Sequence, residues 1–173
     1  ASDAEEVVKQ ADIALYEAKE HGRGQFRAFE PLMDAELKRR SAIERQLRTA
    51  LAEDAFRPFY QPLVDLHSGR TIGFEMLARW SRDGEPDIGP DQFIPIAEEC
   101  GLINDLMLKL LALGCAEALT WDPSLSIAVN LSPVQLQDPW LSEKILGELA
   151  KLNFPPRRLA LEITENALIV DAA

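Results

Sequence analysis

From Phe56 onward the sequence alternates between short apolar runs and amphipathic stretches, and this alternation restricts the chain more than any other feature. Phe59-Tyr60-Gln61-Pro62-Leu63-Val64 and the run from Thr71 to Trp80 have the composition of strands, joined by a turn at His67-Ser68-Gly69-Arg70. A loop rich in Asp, Gly and Pro follows, from Arg82 to Pro90. Helical spacing predicts helices from about Asp91 to Cys100 and from Ile103 to Trp121. Ser126 to Leu131 reads as a strand, Pro139 to Leu152 as a helix, and Leu159 to Thr164 as a further strand. Strands this apolar are buried on both faces, and helices between them give a parallel sheet with helices packed on it. The expected fold class is α/β.

The polar residues inside these strands are the informative ones. Glu75 interrupts an otherwise apolar strand, Asn130 follows Ile127-Ala128-Val129, and Glu162 follows Leu159-Ala160-Leu161 with Glu165 three residues on. Burying a carboxylate in a strand is costly unless a partner or a metal compensates. Three strands thus each carry one oxygen-bearing side chain at or near the carboxyl end, where ligands bind in barrels and open α/β sheets. The set Glu75, Asn130, Glu162 is all oxygen, and the chain has only two histidines. Such a set suits Mg²⁺, Mn²⁺ or Ca²⁺ rather than zinc. Arg79 shares a strand face with Glu75 and could hold a substrate phosphate beside a metal. A structural Glu75–Arg79 ion pair is the simpler reading of that spacing alone.

The segments before Phe56 have a different character. Residues 2–21 form one amphipathic helical pattern, with Ser2 and Glu5 at capping-box spacing and Gly22 at the stop. Gln25-Phe26-Arg27-Ala28-Phe29 alternates as a strand would. Pro31 opens a second helix to about Asp54, with a narrow stripe of Met33, Leu37, Ile43, Leu47 and Leu51 and charges elsewhere. That pattern fits a linker helix that pairs with a second copy, giving a homodimer, and fits equally a helix lying on one domain's surface.

Composition narrows the function classes. Against 18 Lys and Arg stand 29 Asp and Glu, a net charge of −11, which argues against a protein that coats nucleic acid through phosphate neutralisation. One small anionic ligand stays compatible, because a bound divalent cation reverses the local sign. The most apolar stretch, Leu106 to Leu119, is broken by Lys109 and Glu117 and falls short of the roughly 20 apolar residues of a span. The two cysteines, Cys100 and Cys115, read as reduced thiols, in keeping with a cytoplasmic location. Ser132 has no histidine spaced to activate it, and His67 lies in a turn.

Phe59-Tyr60-Gln61-Pro62, Glu75-Met76-Leu77-Ala78-Arg79-Trp80, Phe93-Ile94-Pro95-Ile96-Ala97-Glu98, Gly101-Leu102-Ile103, Val129-Asn130-Leu131-Ser132 and Glu162-Ile163-Thr164-Glu165 occur in that order. In kind and order they resemble the motifs of EAL-domain proteins, bacterial phosphodiesterases that open cyclic di-GMP to linear pGpG. The resemblance covers about residue 43 to the C-terminus. It implies a partial TIM-type (β/α) barrel preceded by a helical linker. It implies metal binding by Glu75, Asn130 and Glu162, and dinucleotide contacts by Gln61, Leu77 and Arg79. Glu165 matches a residue that helps position a loop beside the site. Two divalent ions, Mg²⁺ or Mn²⁺, are implied for the complete site, with Ca²⁺ as a non-productive occupant.

Ala11-Asp12, Ala14-Leu15-Tyr16, Ala18-Lys19 and Gly22-Arg23 resemble the last helix of a GGDEF domain. The implied organisation is a GGDEF remnant over residues 1–30, a helical linker over 31–54, and the N-terminal half of an EAL domain over 55–173. Two departures accompany the resemblance. Met76 stands where the family motif has Ala, and about 250 residues are typical of a full barrel. The paired aspartates, lysine and later acidic and amide residues of an active member would lie beyond Ala173. The expectation is therefore hydrolysis of cyclic di-GMP by the complete protein, with the 173-residue chain alone inactive. A non-catalytic cyclic di-GMP receptor or a dimerising signalling module is the alternative.

Overall fold

The computed structural model describes residues 2–20, 22, 24–82 and 84–163. Glu165, His21 and Arg23, as well as the side chain of Ser2 expected to cap the first helix, lie outside the described residues. The chain divides into two compact units, Ala1–Gln46 and Leu47–Ala173.

In the first unit, helix α1 (Ser2–Glu20) turns Ile13, Ala14 and Ala18 inward. Helix α2 (Pro31–Ala52) begins at the expected proline and continues into the second unit. Lys38 and Lys9 both reach Asp34, at 2.7 and 3.6 Å. The strand expected at Gln25–Phe29 does not form, and Phe26 is 89% exposed. Alternation makes a strand only where a neighbouring strand takes up its backbone donors and acceptors.

The second unit is a sheet with helices. Strands β1 (Phe56–Val64), β2 (Thr71–Trp80), β3 (Ser126–Leu131) and β4 (Leu159–Ile163) lie in the order β1-β2-β3-β4. Helices α3 (Pro90–Glu99) and α4 (Ile103–Ala118) separate β2 from β3, and α5 (Leu141–Leu152) separates β3 from β4. The β2–β3 and β3–β4 pairs are parallel, as expected of strands linked through helices. The β1–β2 pair is antiparallel, with Phe56 opposite Trp80. A short connection cannot return a strand to a parallel start. Here Asp65 closes the turn by accepting from the Ser68 amide and hydroxyl at 2.8 and 2.6 Å. Gly69 supplies the positive φ of +67° that the turn needs.

One face of the sheet meets the helices. Phe56, Met76, Trp80, Ile127, Val129 and Leu131 are all buried there. Phe56, Trp80 and Phe93 stack with centroids 5.1 to 5.9 Å apart, contacts worth about 0.5–1.5 kcal/mol each beyond their area. Gly114 lets α4 approach closely, since a Cβ there would stand 2.6 Å from Met76 Sδ and 3.0 Å from Ile127 Cδ1. Met76 thus points into the helix layer, away from its neighbour Glu75. Lys109 of α4 holds the end of α2, bonding the Leu51 carbonyl and pairing with Asp54. Of the three tryptophans, Trp80 is core and Trp121 stacks on Tyr60 and Phe74. Trp140, in contrast, is 64% exposed.

Candidate functional site

Period-2 alternation and the strand register decide which side chains share a face. Gln61 lies opposite Glu75, Glu75 opposite Ala128, and Asn130 opposite Glu162. Since Ala128 and Asn130 are two residues apart, Gln61, Glu75, Asn130 and Glu162 form one row across all four strands. Leu77 and Arg79 follow Glu75 along the same face. This is the face away from the helix layer, and Gln61, Asn130 and Glu162 are exposed on it. Asn130 Nδ2 donates to Glu75 Oε1 at 2.7 Å, joining residues 55 apart in sequence. The expected site residues among the described ones thus lie on one face of the sheet, and Asn130 and Glu75 are in direct contact.

The positions along the strands differ in one respect from expectation. Asn130 and Glu162 are the penultimate residues of β3 and β4, whereas Glu75 sits midway along β2. The reason is that β2 pairs with β3 only from Gly73 to Met76 and then continues to Trp80 against β1 alone. Beyond Met76 the two strands fork. A pocket of about 220 Å³ opens at the fork, with Leu77, Arg79 and Asn130 on the sheet side and Ile94, Ile103 and Met107 on the helix side.

The Glu75–Arg79 ion pair permitted by spacing does not form. Four residues along a strand span about 13 Å, too far for a direct contact. Arg79 instead lies over the Phe59 ring, Cζ 5.6 Å from its centroid, and Nη1 donates to the Ala78 carbonyl at 2.8 Å. Neither contact neutralises the guanidinium, so its charge stays available to an anion on this face. Ser132 Oγ accepts from the Val134 amide at 3.2 Å, capping the 3₁₀ turn Pro133–Gln137.

Among the described residues no group of three or more His, Cys, Asp or Glu side chains is placed to hold a metal. The expected ligand set Glu75, Asn130 and Glu162 is two carboxylates and one amide, so its donor chemistry is of a different composition. All three residues can offer oxygen, which fits a hard divalent ion such as Mg²⁺ or Mn²⁺. With the Asn130 nitrogen directed at Glu75, rotating the amide by half a turn would present its oxygen instead.

A buried polar chain beside the row was not anticipated from the sequence. Gln135 is 1% exposed and links the end of β3 to α4 through Asn104. The signal was present as Ser132-Pro133-Val134-Gln135, a capping-box spacing with proline at the first helical position.

Residues 44–173, which include the whole sheet and the row across it, match the EAL domain family. The chain belongs to the EAL-domain family. An uncharacterized signaling protein of Caulobacter vibrioides is 44% identical over 168 residues, 97% of this chain and 21% of that protein. The bifunctional diguanylate cyclase/cyclic di-GMP phosphodiesterase MucR of Pseudomonas aeruginosa is 34% identical over 171 residues, 96% of this chain and 25% of that protein. The chain thus spans about a fifth to a quarter of the length of these relatives. Among solved structures, the PaMucR phosphodiesterase in complex with c-di-GMP superposes with a TM-score of 0.71 at 33% identity. That match covers 76% of this chain and 55% of the PaMucR chain. The α/β fold of this chain thus corresponds to about half of that EAL-family structure. No helix among the described residues is long and apolar enough to cross a membrane.

Proposed function

We propose that this EAL-family chain provides part of the active site of a phosphodiesterase that hydrolyses cyclic di-GMP to linear pGpG. The observation that carries the reading is the row Gln61, Glu75, Asn130 and Glu162 on one open face, fastened by the Asn130–Glu75 contact of 2.7 Å. Glu75, Asn130 and Glu162 would hold Mg²⁺ or Mn²⁺ through oxygen. When bound, such ions supply an activated water and stabilise charge on the phosphoryl oxygens. Arg79, with no carboxylate partner among the described residues and braced on Phe59, binds and orients a phosphate of the dinucleotide. Gln61 and Leu77 complete the floor on which the dinucleotide rests, and Glu165 positions the neighbouring loop.

The same reading extends to the architecture. Residues 55–173 are the N-terminal half of a TIM-type barrel whose interior is the open face. Leu161 and Ile163 of β4, on the helix side of the sheet, are 44% and 42% exposed, which suits a strand that another strand and helix would cover. Residues 31–54 act as the linker helix and residues 1–30 as a GGDEF remnant. The Caulobacter relative matches 97% of the chain, whereas the EAL match begins at residue 44, in keeping with a separate preceding module.

The test uses the full-length protein with Mg²⁺ or Mn²⁺ and cyclic di-GMP, following pGpG by chromatography. Glu75→Gln is expected to lower turnover on the order of 100-fold or more, the scale of losing one transition-state electrostatic contact. Tight dinucleotide binding without turnover in the wild type would replace this reading with a cyclic di-GMP receptor.

A further inference from the structure

We propose that Gln135 is a positioning residue for this site: it fastens the end of β3 and so fixes where Asn130 stands against Glu75. Its Oε1 accepts from the Ser132 amide at 3.0 Å, and its Nε2 donates to Asn104 Oδ1 at 2.9 Å. Asn104, in the first turn of α4, passes the chain on, its Nδ2 donating to Asp138 Oδ2 at 3.1 Å. Asp138 also accepts from Lys144 Nζ at 2.6 Å and from the Trp140 amide at 3.0 Å.

The direction of this chain is set at one end. An ionised carboxylate only accepts, so Asn104 must turn its NH₂ toward Asp138 and its oxygen toward Gln135. Gln135 must then donate to Asn104, which leaves its oxygen for the Ser132 amide. Each amide has one orientation, and the Ser132 N–H, two residues past Asn130, is held in one place. At 1% exposure, Gln135 has no water to substitute for these partners. Leu131, between Asn130 and Ser132, is itself buried, so the strand end has little freedom once Ser132 is held. Glutamine is the residue the position requires: leucine offers neither group, and a carboxylate would set oxygen against the Asn104 oxygen.

The inference rests on the proposed metal role of Asn130 and Glu75. Its test compares full-length wild type, Gln135→Leu, Gln135→Glu and Glu75→Gln. Mn²⁺ affinity is read by electron paramagnetic resonance, and backbone protection of residues 127–137 by hydrogen exchange. Gln135→Leu is expected to expose the Ser132 region to exchange and to weaken Mn²⁺ binding about tenfold, the scale of removing an outer support of a ligand. Gln135→Glu is expected to behave likewise at pH 8 and to converge on the wild type as pH falls toward 5.5, where the introduced carboxyl gains the proton it needs to donate to Asn104. Glu75→Gln is expected to abolish Mn²⁺ binding and leave exchange at the β3 end unchanged. Unchanged exchange in Gln135→Leu, or unchanged Mn²⁺ affinity while Glu75→Gln abolishes it, overturns the positioning role. Wild-type protein lacking Glu75-dependent Mn²⁺ binding overturns the reading of the site instead, and this inference with it.

Discussion

Arg158 shows how much stability one side chain can hold through main-chain carbonyls. It is 6% exposed, and its guanidinium donates to the carbonyls of Leu125, Ala118 and Asp122 at 2.8, 2.8 and 3.4 Å while lying over the Phe154 ring. Ala118 is the last residue of α4, so a cation there also meets the negative end of the helix. Arg158→Met is expected to cost about 3 kcal/mol, since it leaves buried carbonyls unpaired, measurable by urea denaturation. Cys115 gives a pH test. Burial pushes its thiol up to about 11 from the ordinary 9.0, the Arg158 charge acting weakly in the other direction. A group that binds its proton more tightly when folded stabilises fully below its unfolded value and loses that stability as pH rises through the folded one. Wild-type stability should therefore decline between about pH 9 and 11 more steeply than that of Cys115→Ala, read from denaturation midpoints. At this scale the sequence was legible where a residue contradicted its surroundings. Glu75, Asn130 and Glu162 stood out because apolar strands have no use for them. Gln61 and Leu77 emerged only through resemblance to a family. Arg158 follows Pro155-Pro156-Arg157 and reads as an ordinary loop charge, because its partners are main-chain carbonyls that carry no sequence signal.

Among the elements, α4 is the one on which the others depend, packing against β1, β3, α3 and α5. Its closest approach to the sheet is at Gly114, where no side chain fits without moving Met76 and Ile127. Gly114→Val is expected to destabilise by about 1–3 kcal/mol through overpacking, seen as a lower thermal midpoint. The start of α5 depends on Asp138, whose carboxyl is held below its ordinary 3.8 by Lys144 and the Trp140 amide. A carboxyl lowered on folding stabilises fully above its unfolded value and ceases to do so as pH falls through the folded one. Asp138→Asn should therefore flatten the acid limb of the stability profile below about pH 3.8, with the loss already present at neutral pH. Strand boundaries at Thr71–Trp80 and Ser126–Leu131 were readable directly, as composition changes sharply at both ends. Helix ends were less so: α4 stops at Ala118 rather than Trp121, where Arg158 takes the last carbonyls, and α5 begins at Leu141, past Pro139 and Trp140. The expected Gln25–Phe29 strand failed because a period of two describes one strand's sides and says nothing of a partner.

At the scale of the whole molecule, the fold class and the succession of elements followed from the alternation of patterns, while the reversed direction of β1 followed from the length of one turn. The exposed Leu161 and Ile163 of β4 carry a prediction of their own. The 173-residue chain by itself should self-associate at micromolar concentration, and Leu161→Lys should reduce that association in sedimentation experiments. Monomeric behaviour of the unsubstituted chain at that concentration would contradict this expectation. The direction of β1 has one more consequence. In an all-parallel sheet the chain would arrive at the amino ends of the strands, a full strand length of about 30 Å from the other rim. Because Phe56 lies opposite Trp80, it arrives on the carboxyl rim itself, and only four residues separate the end of α2 at Ala52 from Arg57 beside Arg79. A twist or pull delivered at the end of α2 is therefore applied next to Arg79, with almost no intervening structure to absorb it.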